Sequence, residues 1–374
     1  LDEERKDETV IEKLINILYD SEKELPSNHD FYHQVLEEVE VGFVSSQIYH
    51  LLKKQDRLKE TPSFFQDSLK QQFQTVLYQN MIIKTETERI LKLLESKRIA
   101  VMPIKGVYFS EKYYGNIGAR ETSDIDLLIK EEDYDMVVSA VKELGFIHEE
   151  EFIPGHFHTS FSKDIPGSAI PLTVELHWSI LKDNTSNLSM EEFWRDSHSI
   201  GNYQYVKSLS DYHTFYLICL HGWRHNLDAP KYFLDIIQMA FYIGKQLDYE
   251  RLMKDGKTHQ TRRRLQRTLA IVYREYPVLY AIRDFSPDKI NRYWKKRKSK
   301  WKRINGYAVF FDYQFFSYDK PSHGFIEFFH WLFPQKPEIL AEISNHTDRD
   351  KRYAFLLLLL YKKRCTGALK SIFI

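Results

Sequence analysis

The chain has 374 residues, 43% apolar and 28% charged, so it can bury a full core and is long enough for two or three structural units. Lys+Arg and Asp+Glu both number 53, which leaves no net field to draw the whole molecule to nucleic acid or to a membrane. Cys219 and Cys365 are its only cysteines, too few for a disulfide framework or a cysteine-rich zinc site, and they point to a reducing, cytoplasmic setting.

The chain opens on the acidic stretch LDEERKDE, with no apolar run that a secretory signal would need. Residues 9–20 place Ile11, Leu14, Ile15 and Leu18 on one helical stripe, broken at Leu25-Pro26-Ser27-Asn28. The stripe resumes over 30–55 with Val35, Val39, Phe43 and Leu51. Thr61-Pro62-Ser63 then reads as a helix start, with a helix from about Phe64 to Ser96. The periodicity changes at Ile99–Ile104, a short apolar run, followed by a short helix over Lys105–Tyr114, a loop from Gly115 to Ser123 and a strand at Asp124–Ile129. Residues 131–144 carry acids in their first turn and stop at Gly145, the pattern of a complete helix. Strands are expected at Phe157–Ser162 and Leu172–His177, joined by a turn near Asp164–Gly167.

From residue 188 the pattern is helical again, with helices over 211–226 and 231–246. Between Arg251 and Arg303 lie 18 Lys/Arg against 4 Asp/Glu. Such a run is ordinarily a solvated helix face; an anionic partner is the functional alternative, with Trp294 and Trp301 as stacking platforms. Without a recognisable module, nucleic acid is not the expected ligand. The longest apolar run, Ala354–Tyr361, falls far short of the roughly 20 residues of a membrane span and reads as a buried helix. The expected fold is α+β: a small mixed β-sheet core over 97–187, flanked by a helical region over 1–96 and another over 188–374.

Chemistry concentrates in residues 99–130. Asp124-Ile-Asp126 puts two carboxylates on one face of a strand, because side chains alternate with period two. Two carboxylates held that close repel unless a cation sits between them, which favours a divalent-metal site over a wet strand start once a third acid is found. Glu175 supplies that acid: in LTVELH it shares a face with Thr173 and His177, and pairing of this strand beside Asp124–Ile129 would converge all three. Lys105, the helix start after Gly106, and Arg120 offer positive charge or N–H groups to phosphates. A two-metal carboxylate site suits nucleotidyl transfer, since one ion aligns an acceptor hydroxyl with the α-phosphorus while the other neutralises the departing pyrophosphate.

These motifs resemble the DNA polymerase β-type nucleotidyltransferase superfamily and, more closely, the family labelled uncharacterised nucleotidyltransferase. The matching residues are Ile104-Lys105-Gly106, Tyr113-Tyr114, Arg120, Asp124-Ile-Asp-Leu-Leu128, Leu144-Gly-Phe146, His156-Phe-His158 and Glu175-Leu-His-Trp178. Leu220-His221-Gly-Trp-Arg224-His225 with Lys231 and Asp235 is similar to the family's helical region, and so is Leu332-Phe-Pro334. The resemblance implies Asp124, Asp126 and Glu175 as catalytic acids and metal ligands. It implies Lys105, Gly106, Arg120 and Ser123 as nucleotide contacts, and His158, His177, His221, His225 and Lys231 as substrate or supporting residues. It implies Mg²⁺, with Mn²⁺ as the alternative, a nucleoside triphosphate (ATP foremost) as donor, and a small molecule or peptide as acceptor.

In one respect the chain departs from the wider superfamily: Lys105-Gly106 stands where a Gly-Ser pair usually opens the helix, leaving Gly115-Asn116 and Ser123 as substitutes for the missing hydroxyl. His221 and His225, four apart, have the spacing of a zinc pair, but no third ligand is fixed beside them by sequence. Metal-dependent glycosyltransferases and phosphatases with Asp-x-Asp are disfavoured, because their apolar strand precedes the acids, whereas here Leu-Leu-Ile follows them. A catalytically inactive protein that binds a nucleotide or a partner remains the alternative to the enzyme.

Overall fold

Alternation in three short segments builds the sheet on which the polar residues meet. In a computed structural model that describes residues 9–20, 22–148, 156–166, 170–182, 184–285, 310–343 and 351–373, strands β1 (Val101–Pro103), β2 (Asp124–Ile129), β3 (Ile147–His148), β4 (His158–Lys163) and β5 (Leu172–His177) form one mixed sheet in the order β1-β2-β5-β4-β3. β2 and β5 are parallel, and the other neighbours are antiparallel. The register sets Asp124 beside Thr173, Asp126 beside Glu175 and Leu128 beside His177, while β4 brings Ser160 beside Glu175 and His158 beside His177. Paired residues share a face, so one surface of the sheet carries Asp124, Asp126, Glu175, His177 and His158. The opposite surface carries Ile125, Leu127, Ile129, Val174, Leu176 and Phe161, all buried.

That apolar surface is covered by two helices. One is the second half of the long helix α4 (Ser63–Ser96), through Ile83, Ile90, Leu91 and Leu94. The other is α6 (Tyr134–Glu143), introduced after α1 (Val10–Leu18), α2 (His29–Gly42), α3 (Ser45–Lys54) and α5 (Gly106–Phe109), and it packs Val137, Ala140 and Val141. α6 follows an acidic 3₁₀ turn at Glu131–Asp133 and ends before Gly145 at φ +87°, as its sequence signals imply. With one face of the sheet given to apolar packing, the acids gather on the other, Asp126 buried and Asp124 and Glu175 half-buried.

The second core is helical and spans both ends of the chain. Leu14, Tyr32, Ile48 and Phe65 pack in one cluster with residues of α8 (Asp211–Arg224), α9 (Pro230–Ile243), α10 (Tyr249–Thr258) and α11 (Arg262–Glu275), such as Leu217, Ile236, Leu252 and Leu269. Between the sheet and these helices lie the short helix α7 (Glu191–Arg195) and a two-stranded sheet of β6 (His198–Ser199) and β7 (Lys207–Ser208). α12 (Pro321–Leu332), α13 (Lys336–Ile343) and α14 (Tyr353–Phe373) complete the described chain. No helix of the described residues is long and apolar enough to cross a membrane. The architecture is α+β, as the sequence implies.

Local outcomes depart from the sequence pattern in two places. The stripe over 30–55 is two helices, not one: Phe43 adopts a left-handed φ of 54° and turns the chain, so that α3 folds back against α4. The apolar run 354–361 is not a buried helix. Leu356 and Leu360, one turn apart, meet Ile339 of α13 in a small satellite cluster, whereas Phe355 is 46% and Leu358 68% exposed. The basic run resolves partly into internal struts, with Arg267 paired to Asp312 at 2.9 Å and Arg264 fully buried; Trp294 and Trp301 lie outside the described residues.

Candidate active site

The loop that delivers Asp124 is held from below by α4 and α3. Asn80 of α4 donates to the carbonyl of Arg120 at 2.7 Å, Gln79 donates to that of Thr122 at 2.8 Å, and Ser46 of α3 donates to that of Gly118. Gly115, at φ +78°, closes the π-turn Ser110–Tyr114 that follows α5, and Asn116 accepts from the Gly118 N–H at 2.8 Å. Asn116 therefore serves the turn. Gly106 occupies φ +64°, and a Cβ there would meet Thr122 Cγ2 at 3.2 Å, so glycine is what lets α5 start this close to the Asp124 loop.

Lys105, between β1 and α5, places its Nζ 2.8 Å from Asp126 Oδ1. The His177 Nε2 lies 3.0 Å from the same oxygen and 3.1 Å from Glu175 Oε2. Asp126, Glu175 and His177 offer ligand atoms all within 4.8 Å of one another, the one such cluster of three among the described residues. Burial alone would raise the Asp126 carboxyl, but the Lys105 ammonium and the His177 hydrogen bond hold it far below the usual carboxylate range. Glu175 is likewise held down, against its burial, by His177. Burial disfavours a charged His177, yet its bonds to Asp126 and Glu175 raise its pKa above the ordinary value.

Asp124 is only partly compensated: Lys105 and Arg120 favour its charged form without reversing the rise. Its carboxyl is pushed up to about 6 by burial and by the neighbouring Asp126 charge, with Glu175 adding to the rise. Ser123, exposed, sets its Oγ 3.3 Å from Asp124 Oδ1. The sheet face therefore carries one more carboxylate than its cations neutralise, and its donors are oxygens and one imidazole. This set suits a hard divalent cation of the Mg²⁺ or Mn²⁺ kind. In the described arrangement the Lys105 ammonium sits on the oxygen such an ion would use.

The remaining residues singled out by sequence divide. His158 stacks on His177 with ring centroids 5.1 Å apart, and its buried Nδ1 has no hydrogen-bond partner. Burial and the neighbouring His177 charge push its pKa down. His221 and His225 meet at 4.8 Å and both contact the Tyr232 ring. Burial lowers both, and Lys105 lowers them further, which places this helix face beside the sheet site without forming a metal cluster of its own. Lys231 opens α9 and stands over the rings of Phe43 and Tyr232 at 5.5 and 5.2 Å.

Arg120 is engaged elsewhere. Its Nε and Nη2 donate to both carboxylate oxygens of Asp235 at 2.9–3.0 Å, and Nη1 lies 3.4 Å from the Glu121 carbonyl. This buried fork ties the Asp124 loop to α9, so in this arrangement the guanidinium is a strut and not an open clamp. From sequence, His177 has only a supporting role, Arg224 has a place in the helical motif but no role, and Glu327 has neither. Glu327 sits in α12, five residues before Leu332-Phe-Pro334, and no local pattern marks it as polar for a purpose.

Residues 33–276 match the sequence model of a family described as "Uncharacterised nucleotidyltransferase", and the chain belongs to that family. No curated protein matches the sequence. Among solved structures, the crystal structure of ANT(2″)-Ia in complex with adenylyl-2″-tobramycin is 16% identical with a TM-score of 0.30, covering 47% of this chain and 92% of that one.

Proposed function

We propose that this nucleotidyltransferase moves a nucleotidyl group from a nucleoside triphosphate, ATP foremost, to a hydroxyl or phosphate of a small molecule or peptide, with Mg²⁺ at the sheet face and release of pyrophosphate. The observation that carries the reading is the parallel pairing of β2 and β5, which sets Asp126 directly beside Glu175 with Asp124 two residues away on the same face.

Asp124, Asp126 and Glu175 would hold the ions, with His177 orienting Asp126 and Glu175. A bound divalent pair supplies Lewis-acid charge for the acceptor oxygen and the leaving pyrophosphate. Lys105, freed from Asp126, turns its ammonium to the phosphates. Gly106 removes the side chain that would crowd them, and Ser123 offers a hydroxyl. The acceptor oxygen forms a bond to the α-phosphorus as the bond to the bridging β-phosphate oxygen breaks. The acceptor proton passes to Glu175, whose side chain remains 24% exposed. His158 at the start of β4, and His221, His225 and Lys231 on the helical side, would line the approach.

Transfer from α-labelled ATP tests the reading. Asp124→Ala with Asp126→Ala is expected to abolish labelled product while the chain stays folded. Full transfer by that variant would reject it, and nucleotide binding by the wild-type chain with no pyrophosphate release would favour the inactive binder.

A further inference from the structure

A cleft of about 240 Å³ opens next to His158, which stacks on His177, and none of the three acids lines it. It lies between the start of β4, the segment after β5, the end of α8, the 312–316 turn and α12, and it contains four aromatic residues, Phe157, Trp223, Tyr313 and Tyr318. The indole of Trp223 is fixed by its Nε1–H on Ser317 Oγ at 2.9 Å, and Tyr313 is fixed by donating to the Arg224 carbonyl. The walls are therefore set before any ligand arrives.

Three charged residues line this cleft: Lys182 holds its ammonium 3.9 Å from Glu338 of α13, and Arg224 and Glu327 mark the two ends. Arg224 lies over the Phe157 ring at 4.6 Å and acts on His158 and His225, so it stands at the end near the acids. Glu327 of α12 acts instead on Tyr313 and Tyr318 and stands at the other end. It is 6% exposed, and its Oε1 is buried with no hydrogen-bond partner. Arg264 feels its charge and leaves its own Nε and Nη1 buried without a hydrogen-bond partner, while it stacks on Trp223 and Tyr318 and gives its Nη2 to the carbonyls of Thr185 and Gln260. A carboxylate buried without a bonded partner is costly, and here it lines an aromatic-walled space. That combination recognises a protonated amine, by ion pairing at the carboxylate and by cation–π attraction at the rings.

The position of the cleft fixes its role. In-line displacement puts the attacking oxygen and the leaving pyrophosphate on opposite sides of the α-phosphorus. With Lys105 and Gly106 on the β1 side of the acids, the acceptor must come from the β4 side, where the cleft lies. We propose that this cleft is the acceptor site and that it takes a small acceptor bearing both a protonated amine and a hydroxyl, the amine on Glu327 and the hydroxyl directed toward Asp126 and Glu175. The volume admits a single ring or a short side chain. The inference rests on the nucleotidyl-transfer reading for the hydroxyl's role, while the recognition of the amine stands apart from catalysis.

The test uses the full chain and two matched probe pairs, glucosamine against N-acetylglucosamine and tyramine against tyrosol. Binding is followed first by Trp fluorescence and calorimetry without metal or nucleotide, then by transfer from α-labelled ATP. The protonated member of at least one pair should bind about tenfold more tightly than its neutral partner, and Glu327→Gln should erase that difference while leaving ATP binding unchanged and thermal stability equal to or above wild type. Ile180→Trp, which fills the cleft from a half-buried position, should remove amine binding and again spare ATP. Equal binding of both members, no amine binding by the wild-type chain, or a preference that survives Glu327→Gln would each overturn the proposal. If the amine binds as expected and no probe is labelled by the wild-type chain, the cleft stands as an amine site and its acceptor role is overturned, while the nucleotidyl-transfer reading is decided separately by metal-dependent nucleotide binding and pyrophosphate release.

Discussion

The sheet-borne half of the site and its helix-borne half are built by different rules. On the sheet, Asp124, Asp126, Glu175 and His177 lie in six-residue strands whose period of two sends them to one face, and the register alone brings them together. On the helical side, His221, His225, Arg224 and Glu327 come from α8 and α12, and their placement depends on how whole helices pack in a core that draws on both ends of the chain. The first half follows from strand period and register, whereas the second is set by the packing of whole helices. Perturbing the strand residues should therefore change chemistry without unfolding the protein, while perturbing the joint between the halves should unfold it.

That joint is Arg120 with Asp235. Arg120→Ala leaves Asp235 buried and unpaired, and is expected to cost about 3–5 kcal/mol in denaturant unfolding. Replacing both, as Arg120→Met with Asp235→Leu, should return most of that stability and leave nucleotide affinity near wild type. A variant pair that is stable but loses nucleotide binding would make Arg120 a phosphate contact after all and erase the distinction between strut and site.

Next in size is His177→Gln, which removes the imidazole shared by Asp126 and Glu175. It should weaken divalent-metal binding by about 10–100-fold with little change in melting temperature, measured by Mn²⁺ titration. Lys105→Met sharpens the sheet half further. Nucleotide affinity should fall by about tenfold, whereas binding of metal alone should hold or improve, because the competing ammonium has left Asp126 Oδ1.

The smallest expected effect lies on the helical side. Glu338 of α13 accepts from the Gln335 N–H at 2.8 Å and pairs with His156 at 3.3 Å; burial opposes its ionisation, but these contacts hold its carboxyl at about 2. A depressed carboxyl stabilises the fold above the unfolded value near 4.3 and loses that contribution as pH falls toward 2. Wild type and Glu338→Gln should differ by about 1 kcal/mol at pH 6 and converge near pH 2 in urea unfolding. A gap that persists at pH 2 would assign the effect to packing.

The same division explains what could be read from the amino acids. Asp-Ile-Asp and Glu-Leu-His carry their geometry in a two-residue period, so the shared face was legible, and so were β2, β4 and β5, the stop of α6 at Gly145 and the α+β class, whereas the two-residue strands β3, β6 and β7 are too short to show a period. The parallel pairing of β2 with β5 was a conditional expectation that only the register supplies. What could not be read depends on distant partners. Arg120 looks like a free cation until Asp235, 115 residues away, is seen to hold it. Phe43 looks like one more position on a stripe until the turn at its left-handed backbone splits α2 from α3. The run 354–361 is apolar enough to be buried, but only one side of α14 finds a partner.

The central claim is that the acids of β2 and β5 hold divalent metal together with a nucleotide. Its most direct test is Mn²⁺ binding by electron paramagnetic resonance, with a non-hydrolysable ATP analogue present, in the wild-type chain and in Asp124→Ala with Asp126→Ala. The account predicts analogue-dependent Mn²⁺ binding in the wild type and its loss in a folded double variant. Unchanged metal and nucleotide binding in that variant would contradict it.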